Sequence, residues 1–407
     1  MLATCRAEGS QGDLHTIADA ALVWQGEDVV WLGAESDLPA GYAGAERWDA
    51  GGRLVIPGLV DCHTHLAFGG SRADEFELRS LGATYQEIAR AGGGILSTVA
   101  ATRATPEETL AERAHSVLRE MISLGVTTVE AKSGYGLDTE TECKLLRVYR
   151  DLAEQQPVRL VPTLLGAHVV PPEFRDRRRG YVDLVVEEMI PAVAAEGLAR
   201  FCDVFVEDGA FTVEEARRIL EVGRQHGLNP KLHADQLAAG GGGELAAEVG
   251  AVSADHLEYI SADGVAAIKR SGTMAVSLPL ATLYLRQAPM PARRLIDAGV
   301  PVAVATDFNP GSAPNMHLPL ALTLACVQQG MSPAEALKGA TVYGARAVGL
   351  ESRVGSLEPG KAADFAIIDA GDVNQWLYLF HPNACRATVI GGVLCSGEVS
   401  SAAAGTQ

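Results

Sequence analysis

His63-Thr64-His65 sets two imidazoles one residue apart, behind the apolar run Leu54-Val55-Ile56-Pro57-Gly58-Leu59. The run reads as a buried strand. Side chains alternate across a strand, so both rings are expected on one side of it. Two imidazoles on one face are the start of a transition-metal site. A pair of core or turn histidines is the ordinary alternative, and His-X-His alone leaves the two readings balanced.

Polar residues recur at the ends of later apolar runs, as Lys132-Ser133-Gly134-Tyr135, Gly166-Ala167-His168, Glu207-Asp208, His233-Ala234-Asp235-Gln236, Asp255-His256 and Thr306-Asp307-Phe308-Asn309. From these, His63, His65, His233 and Asp307 make a donor set of three imidazoles and one carboxylate for one Zn2+ or Fe2+, with a position left for water. A metal in such a site brings the pKa of its water to roughly 7. His256 is expected beside the resulting hydroxide, as a hydrogen-bond donor or base. The other histidines, His15, His115, His226, His317 and His381, read as structural.

The elements that must position these residues alternate. Candidate strands are Leu54–Asp61, Thr127–Ala131, Leu160–Leu165, Cys202–Val206, Pro230–His233, Ala251–Asp255, Thr273–Ser277 and Pro301–Thr306. Helices between them carry start signals at Thr105-Pro106-Glu107-Glu108, Thr212-Val213-Glu214-Glu215 and Ser332-Pro333-Ala334-Glu335. Eight strand–helix units imply a closed (β/α)8 TIM-like barrel, with a doubly wound open sheet as the alternative. Active residues of such barrels sit at the C-terminal strand ends, where the polar clusters fall. Both chain ends are β-rich. A hairpin joins Ala20–Trp24 to Val29–Leu32, Ala363–Asp369 reads as a strand, and Thr388–Ile390 pairs with Val393–Cys395 across Gly391-Gly392. The expected division is residues 1–55 and 346–407 in a small β-sandwich domain and residues 56–345 in the barrel. Gly92–Gly94 and Gly240–Gly243 lack the accompanying residues of a phosphate loop and read as flexible loops. The tail from Ser400 reads as frayed.

The chain has 407 residues, 47% hydrophobic, with a net charge of -18. That length and composition suffice for a barrel-sized core. The acidic balance argues against nucleic acid and anionic membranes as partners. No stretch is long and apolar enough to span a bilayer, and Met1–Glu8 lacks the basic and apolar regions expected of a signal peptide. The seven cysteines are scattered and odd in number, which suits reduced thiols in a cytoplasm.

The order His-X-His, His, His, Asp on successive strand ends resembles the amidohydrolase superfamily, as does Gly355-Ser356-Leu357-Glu358-Pro359-Gly360-Lys361-Ala362-Ala363-Asp364. Within it, His63–Arg72, Glu130–Leu137, Leu165–Pro172, Leu232–Asp235, Ser253–Leu257 and Ala305–Ser312 are similar to the imidazolonepropionase family. The resemblance covers essentially the whole barrel. It implies hydrolysis of 4-imidazolone-5-propanoate to N-formimidoyl-L-glutamate by a metal-bound hydroxide. Asp307 would relay the proton, and the metal or His256 would stabilise the oxyanion. Arg72, Tyr135 and His168 match the residues that bind the anionic small-molecule substrate, and Asn309, Gly311 and Ser312 match the loop that contacts it. A homodimer is a family expectation. Two-metal relatives carry a bridging Lys at strand four, where this chain has Glu207, so one metal is favoured over two. Many relatives carry Glu three residues after the strand-five His. Gln236 stands there, and its amide orients the ring but moves no proton. The alternatives are a deaminase-like amidohydrolase, against which Arg72 and the Asp307–Gly311 loop argue, and a non-catalytic scaffold, against which the intact donor set argues.

Overall fold

The computed structural model describes residues 1–82, 87 and 92–401. The strand expected over Leu54–Asp61 is cut in two at Gly58. β1 (Leu2–Ala3), β2 (Thr16–Ile17), the hairpin β3 (Ala20–Gln25) and β4 (Asp28–Ala34), and β5 (Trp48–Asp49) precede β6 (Leu54–Pro57), which pairs with the C-terminal part of the chain. β7 (Leu59–Asp61) then opens the barrel. A Cβ at Gly58 would stand 2.3 Å from the Thr127 side chain, so the crossing between the two sheets needs a residue without one. The expected domain break at 55/56 therefore falls inside β6.

The barrel continues through β8 (Val126–Lys132), β9 (Arg159–Ala167), β10 (Phe201–Val206), β11 (Asn229–Ala234), β12 (Ser253–His256), β13 (Met274–Ser277) and β14 (Val302–Val304). These eight strands are hydrogen-bonded in chain order and every pair is parallel. A doubly wound sheet would reverse its order at a switch point, and this one does not. The seam between β14 and β7 closes just beyond the strand ends. The Asp307 N–H donates to the His63 carbonyl at 3.0 Å and the His65 N–H to the Phe308 carbonyl at 2.8 Å. The Asp61 carboxylate takes both the N–H and the hydroxyl of Thr306.

Helix starts follow the sequence in two cases. Thr212 and Ser332 each form a reciprocal capping box with the Glu three residues on. Thr105 does not cap. Its hydroxyl donates back to the Ala101 carbonyl, at the end of the preceding helix, and the next helix begins at Glu107. The second glycine run is not a flexible loop either. Gly242 and Gly243 open the helix Gly242–Glu248, and the N–H groups of Gly240, Gly242 and Gly243 converge on the Asp235 carboxylate. In the first run, the Gly94 N–H donates to Glu75, and Gly94 precedes the helix Ile95–Ala104.

β15 (Phe365–Ile368), β16 (Cys385–Ile390) and β17 (Val393–Gly397) join the N-terminal strands in a six-stranded sheet of order β17-β16-β15-β6-β1-β2. Trp24 of the hairpin meets Phe365 of this sheet at 5.3 Å and Trp48 at 5.0 Å, edge to face. The hairpin thus covers an apolar layer that includes Leu2, Val29, Leu357 and Val389. β18 (Ser400–Ser401) pairs with β5, so the tail is ordered that far; its remainder, 402–407, lies outside the described residues. No described helix is long and apolar enough to cross a membrane.

Candidate active site

The histidine pair continues β7 beyond its last ladder residue and lies against the closing seam. Rings of His63 and His65 are 5.6 Å apart, and those of His63 and His233 are 4.5 Å apart. Asp307 Oδ1 lies 3.4 Å from His63 Nε2 and 3.6 Å from His65 Nε2. Besides the triplet His63–Glu130–Asp255, two overlapping triplets of donors lie among the described residues, His63–His65–Asp307 and His63–His233–His256, each within 4.8 Å. Strand ends β7, β11, β12 and β14 supply them. The backbone is bent to do so. Asp307 (φ 55°), His256 (φ 81°) and Leu257 (φ 64°) adopt left-handed conformations that non-glycine residues rarely take, and such strain concentrates at functional sites.

Beneath the donors lies a layer of buried charge that the sequence reading missed. Asp255 Oδ2 sits 2.6 Å from His63 Nδ1, and Asp203 Oδ2 sits 3.1 Å from His233 Nδ1. The Lys132 ammonium contacts Asp203 at 2.7 Å, Glu130 at 3.0 Å and Asp255 at 3.5 Å. Lys231 contacts the other Glu130 oxygen at 2.8 Å. None of these charged side chains reaches solvent. A signal for them was available. Asp61, His63 and His65 stand at alternate positions, as do Glu130 and Lys132, and Lys231 and His233. A charge two residues before a candidate ligand shares its face of the strand.

Burial sets the electrostatics. It pushes His63 and His65 well below the ordinary imidazole range, helped by Lys132 at His63 and by His168 at His65. Burial and then His233 bring His168 down to about 3. Burial raises Asp307, against the opposing pull of His256 and His233. At His256, burial works against charge, but Glu258, Asp307 and Asp255 outweigh it and the ring is raised. At Asp203 burial is likewise outweighed, by His233 and Lys132, and the carboxyl lies well below its usual range.

The expected substrate residues surround this floor. His168 stacks on His65 at 5.3 Å, and its Nδ1 lies 3.0 Å from the Gly134 carbonyl. Tyr135 is buried, with its ring 5.5 Å from both His65 and His168. Its loop is pinned by Glu142, whose carboxylate accepts the N–H groups of Gly134, Gly136 and Leu137. Arg72 gives Nε and one terminal nitrogen to Glu75, while its Nη1 lies against Gly311, where a Cβ would stand 2.1 Å away. Asn309 is committed to its own loop. It accepts from the N–H groups of Gly311 and Ser312 and donates to Ser312 Oγ and the Asp307 carbonyl. Gln236 is buried, three residues past His233. Glu207 accepts the N–H groups of Asp208 and Leu237 and belongs to no donor cluster among the described residues, so nothing here places it as a metal bridge.

The donor set fits a divalent metal. His63 Nε2 and His233 Nε2 are buried with no hydrogen-bond partner among the described residues. Leaving such atoms bare is costly. Each ring has its Nδ1 against a carboxylate, which directs the Nε2 lone pair into the cluster, an arrangement common to metal-binding histidines.

Comparison with known proteins agrees with this geometry. The amidohydrolase family profile matches residues 54–399. The chain is 48% identical to imidazolonepropionase of Geobacillus thermodenitrificans over 95% of its length and 92% of that protein's. It is 51% identical to imidazolonepropionase of Myxococcus xanthus over 89% and 86% of the two chains. In fold it is similar to 5-methylcytosine deaminase from Klebsiella pneumoniae, with a TM-score of 0.74, 18% identity and coverage of 94% and 96%. It also resembles guanine deaminase from C. acetobutylicum, with a TM-score of 0.69, 17% identity and coverage of 97% and 98%. At such identities the last two speak for the fold alone.

Proposed function

Since the chain belongs to the amidohydrolase family, and to its imidazolonepropionase members within it, we propose that it hydrolyses the cyclic amide of 4-imidazolone-5-propanoate to N-formimidoyl-L-glutamate. This is the third step of histidine degradation. The observation that carries the reading is that one loop, Asp307–Ser312, touches both the donor cluster and the Arg72 guanidinium. A hydrolytic centre and an anion anchor are thereby held at a fixed separation.

His63, His65, His233 and Asp307 would hold a single Zn2+ or Fe2+. Such an ion, when bound, polarises a carbonyl and makes water nucleophilic at neutral pH. The chain's own residues do the rest. The propanoate lies against the free edge of Arg72, whose other edge is fixed by Glu75. Tyr135 and His168 wall the ring. As water attacks the ring carbonyl, His256 donates a hydrogen bond to the developing oxyanion. Asp307 takes the proton of the attacking water and returns it to the ring nitrogen as the C–N bond breaks. Gln236 orients the ring, and Asn309 and Ser312 shape the loop below it.

All seven cysteines are free thiols, in keeping with a cytoplasmic protein, and a homodimer is proposed on family grounds. Incubation with 4-imidazolone-5-propanoate and identification of the product tests the reading. If that substrate survives while guanine or a hydantoin is consumed, the proposal fails.

A further inference from the structure

Among the described residues, Lys132 is the one cation of the buried layer whose side chain reaches both carboxylates that orient histidines. Its Nζ lies 2.7 Å from Asp203 Oδ2 and 3.5 Å from Asp255 Oδ2. Asp255 Oδ2 is also the oxygen at 2.6 Å from His63 Nδ1, and the Asp203 carboxylate straddles His233 Nδ1, hydrogen-bonded through Oδ1 at 3.2 Å with Oδ2 at 3.1 Å. We propose that Lys132 is a positioning residue for the metal centre, one ammonium that sets the orientation of His63 and His233 together.

Three arguments support this. The Lys132 ammonium donates to Glu130 and Asp203, and Asp255 completes a ring of three carboxylates at ion-pair distance. Without it, Asp203 and Asp255 would face each other as anions in a medium where like charges interact strongly, and would turn away from the shared point. Second, the backbone of Lys132 is tied to the histidine pair. Its N–H donates to the carbonyl of Thr64, between His63 and His65. Its carbonyl accepts the Tyr149 hydroxyl, which in turn accepts the Ala67 N–H. Third, charge balance alone does not explain the contact. Lys231 brings a second cation to the same layer, yet its partners are Glu130 and the carbonyls of Cys62 and Ala347, and neither of the orienting carboxylates.

The inference rests on the metal reading proposed above, and the test separates the two. Metal-free protein is titrated with Zn2+ against a chromophoric chelator, and Co2+ is added separately for its visible absorption. The unmodified chain comes first. If it binds neither ion, the metal reading falls and this inference falls with it. If it binds, Lys132→Met is expected to hold Zn2+ roughly 10–100-fold more weakly, the usual cost of losing a partner behind a metal ligand. Its Co2+ spectrum should shift, which a loss of general stability would not produce. Lys132→Arg should recover part of the affinity, since it restores charge but not the compact ammonium that sits between the three carboxylates. Should Lys132→Met not fold, the same titration is read on Lys132→Met combined with Glu130→Gln, which removes one charge of each sign. A folded variant lacking Lys132 that binds Zn2+ as tightly as the parent, with the parent Co2+ spectrum, would overturn the proposal.

Discussion

Asp255 Oδ2 lies 2.6 Å from His63 Nδ1, with both side chains sealed from solvent, and Ser253 donates to the other Asp255 oxygen at 2.6 Å. A carboxylate held from behind in this way fixes both the plane of the imidazole and the nitrogen left free. Asp255→Ala is therefore expected to lower metal affinity by roughly 10–100-fold while His63 itself is intact. Metal content after dialysis against a chelator checks this. A variant that retains its full complement would show that the pair serves stability alone.

The Arg72–Gly311 contact predicts an effect from a residue with no side chain. A methyl at Gly311 would stand 2.1 Å from Arg72 Nη1 and must displace the guanidinium, a movable group, so folding is expected to survive. Gly311→Ala should raise KM. Arg72→Ala should raise it by about one to two powers of ten, since a charged two-point contact contributes ~1.5–3 kcal/mol, and Arg72→Lys should restore only part. Steady-state kinetics with KM unchanged in all three would move the anchor to Arg79, which donates to the Gly311 carbonyl at 3.2 Å.

His256 is closer to the donors than its sequence position suggested, within 4.8 Å of both His63 and His233. As an oxyanion donor it should be dispensable for metal and not for turnover. His256→Ala is expected to keep its metal and lose about 10²–10⁴-fold in kcat. Asp307→Asn should lose both, and Gln236→Glu should not raise activity. Loss of metal from His256→Ala would make this histidine a ligand.

Acid sensitivity follows from the buried rings. His168 titrates near 3 in the folded chain against an ordinary 6.5, and His63 and His65 are lowered in the same direction. At each of these rings the unfolded chain binds more protons than the folded one below pH 6.5, and the ring's contribution to stability is lost as pH falls. Asp61, raised by burial to about 7, works in the opposite sense, as do the raised Asp307, Glu142 and His256. The contribution of one ring is therefore read as a difference: urea midpoints of the metal-free protein should fall further between pH 7 and 4 in the parent than in His168→Gln. Parallel midpoint curves for the two proteins would contradict this ring environment.

Much of this site could be read without coordinates. Strand ends carry their polar residues next to the apolar runs that define them, so His63, His65, His233, His256 and Asp307 stood out as candidates by position. The hairpin across Gly391-Gly392 and two of the three helix caps are likewise local, decided by residues within a few positions of one another. Tertiary structure decided what local pattern could not. Leu54–Asp61 is one apolar run in sequence, and pairing of Leu54–Pro57 with β15 and of Leu59–Asp61 with β8 divides it between two sheets at Gly58, where Thr127 leaves no room for a Cβ. Gly240–Gly243 has the composition of a loose loop, and becomes a helix start because the Asp235 carboxylate collects its N–H groups. Lys132 and Asp203 stand 71 residues apart, and His63 and Asp255 stand 192 apart. A buried charge is tolerable only when a partner is brought to it, and closure of the barrel is what brings those partners together.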